Sequence, residues 1–159
     1  MQHLDRDEVS LHINASPEQL YDLIADITRM RELSPEIVRC EWLDGATTAL
    51  PGARFKATNK VRMTWSNKPV ITVAERGREI AWSRTELGAG TVEWRYRFEP
   101  EGSGTRVVES YAVTRPLNRF GWFIIERIAG RKDRHSDLRA GMQQTLERLR
   151  SLAEAPQQP

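Results

Sequence analysis

The chain has 159 residues, of which 29% are charged and 39% are hydrophobic, and these values are typical of one soluble globular domain. The formal net charge of +2 is too small to indicate nucleic-acid binding. Cys40 is the single cysteine, so an internal disulfide is excluded and a reducing, cytoplasmic compartment is expected. No segment approaches the ~20 consecutive apolar residues of a transmembrane helix, and the first residues lack the apolar run of a secretory signal.

The chain begins with the pattern of a strand followed by a capped helix. Residues 8–14 alternate between polar and apolar side chains, which predicts a half-buried strand. Ser16 is the expected N-cap of a helix with Pro17 at its first position, and apolar residues follow at helical spacing up to Ile27. A short helical turn over residues 28–33 should end before Pro35, because a residue that precedes proline avoids the helical conformation.

The middle of the chain has the pattern of an antiparallel sheet. In its clearest strand, residues 55–65, apolar side chains and Asn59 face one side while charged or polar side chains face the other. Arg84 shares a face with Ile80 and Trp82, so its side chain either points inward with them or reaches solvent at the sheet edge. The other strands are predicted over residues 37–43, 69–75, 79–85, 92–99 and 105–114.

Two helices are predicted after the last strand, a short one over residues 117–129 and a long amphipathic one over residues 136–153. Gly141 in the long helix indicates either close packing against the sheet or room for a ligand. The whole pattern predicts one α+β domain over residues 1–153, with a curved antiparallel sheet wrapped around the long C-terminal helix and a disordered tail over residues 154–159. Because one helix covers such a sheet incompletely, we expect an internal pocket between them.

Four segments resemble a known family. They are INASPEQLYDLIAD at residues 13–26, PGARF at 51–55, GTRVVE at 104–109 and DLRAGM at 137–142. Together with the order of the elements, they resemble the helix-grip (START/Bet v 1-like) fold of the SRPBCC superfamily and its polyketide cyclase/dehydrase branch. The resemblance covers residues 8–152 and implies the same fold. That branch includes cyclases, lipid and hormone binders and quinone-handling proteins, so the resemblance does not imply one activity.

Candidate ligand-binding residues combine a predicted position at the pocket with a large ring, a thioether or a polar group. For any one aromatic ring alone, ordinary core packing is the better interpretation. An inward-pointing Arg84 would need a carboxylate such as Glu109, because a buried unpaired charge is costly. Catalytic residues are not assigned. The predicted ligand-binding set is Asn59, Met63, Trp65, Trp82, Arg84, Trp94, Tyr96, Glu109, Tyr111, Phe123 and Met142.

The expected function is the binding of a hydrophobic or aromatic small molecule, lipid-like or polyketide-like, in the internal cavity. The resemblance keeps two alternatives open: a cofactor-free polyketide cyclase or aromatase that acts by positioning and proton transfer, and a START-like interaction protein. No cofactor is expected, and no metal either, since the three histidines are far apart in sequence. Residues 120–128 could form a pocket lid, a partner surface, a weak membrane contact or a helix packed on the sheet edge. Monomer and homodimer both stay open.

Overall fold

The structure is a computed structural model that describes residues 5–85, 90–129 and 133–156. Within these ranges the chain forms eight strands, three α-helices and one 3₁₀-helix. The strands are β1 (Arg6–Ile13), β2 (Ile37–Trp42), β3 (Phe55–Lys60), β4 (Thr64–Asn67), β5 (Val70–Glu75), β6 (Glu79–Thr85), β7 (Thr91–Glu101) and β8 (Gly104–Arg115). The helices are α1 (Pro17–Ala25), the 3₁₀-helix (Ile27–Glu32), α2 (Arg119–Ala129) and α3 (Arg134–Glu154).

The strands form two antiparallel sheets that join at one corner. The larger sheet has the order β1-β8-β7-β6-β5, and the smaller one has the order β2-β3-β4. The segment before β3 connects them, because Ile71 N donates to Ala53 O at 2.8 Å and Arg54 bridges to Val70. The sheet therefore curves around the long C-terminal helix, which confirms the predicted α+β helix-grip fold.

Two helices cover the concave side of this sheet. Ser16 caps α1 by accepting a hydrogen bond from Gln19 N at 3.2 Å, as its position in the sequence predicts, and α1 packs against β6 and β7. Asp133 caps α3 by accepting from the backbone N–H groups of His135 and Ser136. The buried side of α3, which includes Met142 and Leu146, packs against the sheet along β1 and β8. One helix from the start of the chain and one from its end therefore cover the core.

The predicted single strand over residues 55–65 is wrong. The chain instead forms a hairpin, in which β3 ends at Lys60, residues 61–63 bend, and β4 returns with Trp65 opposite Asn59. Alternation between apolar and polar residues continues through the bend, and a period of two cannot reveal a change of direction. As a result Met63 lies in the bend with 53% of its surface exposed, away from the inner face.

Half of the predicted disordered tail, residues 157–159, lies outside the part of the chain that the structure describes. Helix α3 continues to Glu154, and residues 157–159 are not described. The assignment of one domain and a tail therefore stays a prediction. In the described ranges, no helix combines the length and the apolar character needed to cross a bilayer.

Candidate functional site

A cavity of about 60 Å³, partly open to the outside, lies between the curved sheet and the first half of α3. It has three walls. The strand wall comes from β3, β6, β7 and β8 and consists of Asn59, Trp82, Arg84, Trp94, Tyr96 and Glu109. The helix wall consists of Asp137, Leu138, Gly141, Met142 and Thr145. The loop wall runs from the 3₁₀-helix to the first residue of β2 and consists of Met30, Ser34, Pro35, Glu36 and Ile37.

The strand wall contains most of the residues that the sequence singled out. Strand pairing explains their convergence, because Trp82 on β6 lies opposite Trp94 on β7, and Tyr96 on β7 lies opposite Glu109 on β8. The rings of Trp82 and Tyr96 are in contact, with centroids 5.7 Å apart. The residues of the predicted set that line the cavity are Asn59, Trp82, Arg84, Trp94, Tyr96, Glu109 and Met142.

The other four members of the predicted set do not line the cavity. Met63 is displaced by the hairpin bend, and Trp65 lies half-buried on the edge strand β4. Tyr111 is buried behind the wall, where its ring packs on Trp94 with centroids 5.5 Å apart. Phe123 is 61% exposed on α2, as is Phe120 at 66%. Tyr111 therefore supports the cavity wall from behind, and the other three residues lie away from the cavity.

The helix and loop walls were missed by the sequence analysis, apart from Met142 and the remark on Gly141. A Cβ atom built on Gly141 would have Pro35 Cγ as its nearest neighbour, at 3.7 Å, which is ordinary van der Waals contact. The glycine therefore leaves space between α3 and the loop wall, and no close approach of the backbone requires it. Of the two interpretations of Gly141, the geometry favours room for a ligand.

Glu109 and Tyr96 form a buried hydrogen-bonded pair in the strand wall. Tyr96 Oη donates to Glu109 Oε1 at 2.7 Å, and the two side chains are only 2% and 3% exposed, respectively. Burial raises the pKa of Glu109 from 4.5 to about 8, although the hydrogen bond from Tyr96 acts in the opposite direction. The same burial, together with the neighbouring carboxyl group, raises the pKa of Tyr96 well above 10. At neutral pH both groups therefore hold their protons.

Arg84 points inward, where its guanidinium carbon lies 5.5 Å from the centroid of the Trp94 ring. Only 8% of the residue is exposed, so the alternative in which it reaches solvent at the sheet edge is wrong. The geometry is that of a cation–π contact. Glu109 Oε1 accepts from Tyr96 and Glu109 Oε2 has no hydrogen-bond partner among the described residues, so Arg84 does not hydrogen-bond to Glu109.

An ion pair between buried Arg134 and partly buried Glu36 joins the loop wall to the start of α3. Arg134 donates from both terminal nitrogens to the carboxylate of Glu36, at 2.6 and 3.0 Å, and Arg134 is 7% exposed. Burial acts to raise the pKa of Glu36, but the hydrogen bonds from Arg134 and the positive charges of Arg134 and Arg84 outweigh it and lower that pKa. Glu36 is therefore a fixed negative charge in the cavity wall.

Three buried polar atoms of the strand wall have no hydrogen-bond partner among the described residues. They are Glu109 Oε2, Asn59 Oδ1 and Trp94 Nε1. Leaving a buried polar group unsatisfied costs about 1–3 kcal/mol, so such groups are rare without a reason. A molecule that enters the cavity and carries its own donors and acceptors can satisfy all three, once wall side chains shift to expose them.

Two other kinds of chemistry find little support in the described ranges. Cys40 is buried on β2, and burial raises the pKa of its thiol to about 12, which makes it unreactive at neutral pH. In the same ranges, no three His, Cys, Asp or Glu side chains come together in an arrangement that could hold a metal ion.

The sequence can now be placed among known proteins. Residues 6–154 match the family described as "Polyketide cyclase / dehydrase and lipid transport". The chain belongs to this family. A Polyketide_cyc-like protein of Corynebacterium glutamicum, solved by NMR, is 32% identical, with a TM-score of 0.61 over 96% of this chain and 93% of that one. The resemblance inferred from the sequence is thereby confirmed.

More distant structures share the fold alone. A major latex-like protein of Panax ginseng has a TM-score of 0.71 at 13% identity and covers 94% of this chain and 97% of its own. StfQ, a di-domain ARO/CYC from the steffimycin biosynthetic pathway, has a TM-score of 0.74 at 14% identity over 94% of this chain. This chain spans 50% of the StfQ chain. No curated protein matches the sequence significantly.

Proposed function

We propose that this protein binds a hydrophobic or aromatic small molecule, lipid-like or polyketide-like, in the cavity between the sheet and α3. The observation that carries the proposal is the set of unsatisfied polar atoms of Asn59, Trp94 and Glu109, which belong to the wall of one cavity. Such atoms are costly in a filled core and are useful where a ligand supplies their partners. The family description, which names both cyclases and lipid transport, fits a cavity of this kind.

The rest of the wall determines the shape of the ligand. Flat rings from Trp82, Trp94 and Tyr96 face aliphatic or thioether groups from Leu138 and Met142 across the cavity. Rings favour stacked or edge contacts with other flat groups, so a planar ligand fits between these walls. A volume of about 60 Å³ is small for a ligand site, which suits the polar end of a planar molecule inside the cavity with the rest of its ring system at the open side.

Native mass spectrometry with a planar probe tests this proposal. The probe is naphthyl methyl ketone, and the variants are Gly141→Leu, which fills the cavity from α3, and Ala140→Leu, which adds the same side chain at an exposed position of that helix. We expect the wild type and Ala140→Leu to bind one probe molecule and Gly141→Leu to bind none. Equal binding by all three proteins would place the probe elsewhere and contradict the proposal.

A second candidate function is a cofactor-free cyclase of the polyketide type. The observation that favours it is the convergence of Glu109, Tyr96 and Arg84 in one cavity, with the pKa of Glu109 raised to about 8. A carboxyl group that titrates near neutral pH is suited to general acid–base catalysis. If the protein acts in this way, wild type converts a linear poly-β-ketone thioester into a cyclised product, whereas Glu109→Gln binds the thioester without converting it. An unchanged rate in Glu109→Gln would contradict this candidate.

A further inference from the structure

Glu109 lies at the centre of the strand wall, and only half of its carboxyl group is hydrogen-bonded. Tyr96 is its register partner on β7 and uses its single hydroxyl proton to donate to Oε1. On the other side, the register partner on β1 is Val9, which has no polar side-chain atom. Oε2 is left buried and without a partner in the described part of the chain. The tyrosine therefore fixes the orientation of the carboxyl group and leaves one oxygen for another molecule.

Among the described residues, the other charged groups of the cavity walls come from β6, the loop wall and the start of α3. Arg84 on β6 lies over Trp94, and Glu36 in the loop wall is held by Arg134. Asp137 on α3 is a further charged residue of the walls. A charged ligand would have to give up the hydration of its charge to enter these buried walls. Glu109 itself is almost fully buried, and burial favours its neutral form.

A neutral Glu109 donates a hydrogen bond, whereas an ionised one can only accept. Oε1 already accepts from Tyr96, so the proton resides on Oε2. Trp94 Nε1 is a second donor, and Asn59 Oδ1 is an acceptor, because Asn59 Nδ2 already donates to Ala57 O. The unsatisfied atoms of the wall thus comprise two donors and one acceptor.

We infer that Glu109 is a specificity-determining residue, which recognises an uncharged carbonyl oxygen of the ligand by donating the hydrogen on Oε2. The matching ligand is a neutral planar ketone with a second acceptor oxygen for Trp94 and a hydroxyl group for Asn59. A carboxylate in place of the ketone must give up the hydration of its charge, and the walls that it enters contain Glu36 and Asp137 as well as Arg84. This inference rests on the proposed function and adds to it the chemical class of the ligand.

The test compares naphthyl methyl ketone with naphthoate, which have the same ring system and differ in the group offered to Glu109. Heteronuclear NMR follows the indole N–H of Trp94, whose signal is assigned with Trp94→Phe. We expect the ketone to shift this signal and naphthoate to bind at least about tenfold more weakly. The affinity for the ketone should fall about tenfold between about pH 7 and about pH 9, as Glu109 ionises around its pKa of about 8.

Two variants isolate the role of the proton. Glu109→Gln keeps an acceptor oxygen for Tyr96 and places an N–H donor where Oε2 was, so it should bind the ketone at every pH without the loss above pH 8. Glu99→Gln on the exposed side of β7 is the control, and it should keep the pH dependence of the wild type. The comparison of the two probes needs no variant, so a folding defect would not prevent the test.

Three results would overturn the inference, and they differ in what they leave standing. Equal binding of ketone and carboxylate, independent of pH but abolished in Gly141→Leu, refutes the role of Glu109 while the binding cavity remains. If neither probe moves the Trp94 signal at millimolar concentration, the proposed function fails as well. The inference also fails if folded Glu109→Gln no longer binds the ketone, because the amide N–H should then replace the proton of Glu109 as donor.

Discussion

Replacing Gly141 with alanine separates the stability of the fold from ligand binding. The new methyl group meets Pro35 Cγ at 3.7 Å, so it fits without displacing any neighbour. Alanine is more favourable than glycine in a helix interior by about 1 kcal/mol, because glycine loses more backbone freedom on folding. We therefore expect the free energy of unfolding to rise by up to about 1 kcal/mol, which in a domain of this size corresponds to roughly 2–4 °C in Tm.

The same methyl group occupies part of a cavity of about 60 Å³. A ligand that fills the cavity loses contact worth about one methylene group, ~0.8 kcal/mol, so its Kd should rise roughly fourfold. Urea unfolding gives the stability, and the NMR titration with naphthyl methyl ketone gives the Kd. Ala140→Gly, at an exposed position of the same helix, is the matched control and should lower stability by about 1 kcal/mol without affecting Kd. A Gly141→Ala protein that is less stable, or that binds the probe as tightly as the wild type, would refute the reasoning.

Three further predictions concern buried groups. Burial raises the pKa of Glu109 from 4.5 to about 8, so the folded protein holds a proton that the unfolded chain has already lost. The free energy of unfolding of the wild type should therefore fall relative to that of Glu109→Gln as pH rises from 4.5 to about 8, and the difference should stay constant above about pH 8. At about 1.4 kcal/mol per pH unit the loss reaches at most about 5 kcal/mol, and a difference independent of pH would contradict it. Arg134→Met leaves the partly buried Glu36 without this partner and should lower the free energy of urea unfolding by about 1.5–3 kcal/mol, and a cost under about 0.5 kcal/mol would argue against a stabilising pair. Cys40 should react with a thiol reagent only at the rate of unfolding, so rapid labelling of the native protein would contradict its burial.

The parts of the fold that the sequence predicts are those with a local signal. Ser16 and Pro17 mark the start of α1 through backbone capping, which needs no distant contact. The alternation on β6 places Arg84 beside Trp82, and this determines which side chains reach the strand wall. The bend at residues 61–63 has no such signal, since it contains neither glycine, proline nor asparagine. That is why Met63 was predicted to face inward.

The missed parts of the site depend on contacts between distant segments. The residues of the loop wall follow no helical or strand period, so their sequence does not show which of them face a cavity. Glu36 and Arg134 are 98 positions apart, and nothing in the sequence of either segment indicates that they pair. Phe123 was selected for its size on a short apolar segment, but the buried ring of that segment is Trp122. Residues 122–125 are all apolar, and consecutive residues of a helix lie on different sides of it, so the pattern alone does not show which ring is buried.

The most direct test of the cavity as a ligand site is a crystal structure with a brominated naphthyl methyl ketone. Anomalous scattering locates the bromine atom without reference to the protein model. The account predicts one peak between α3 and the strand wall, with the ketone oxygen within hydrogen-bond distance of Glu109 Oε2. A bromine peak only at the protein surface, with Trp82, Trp94 and Met142 closed on one another, would contradict it.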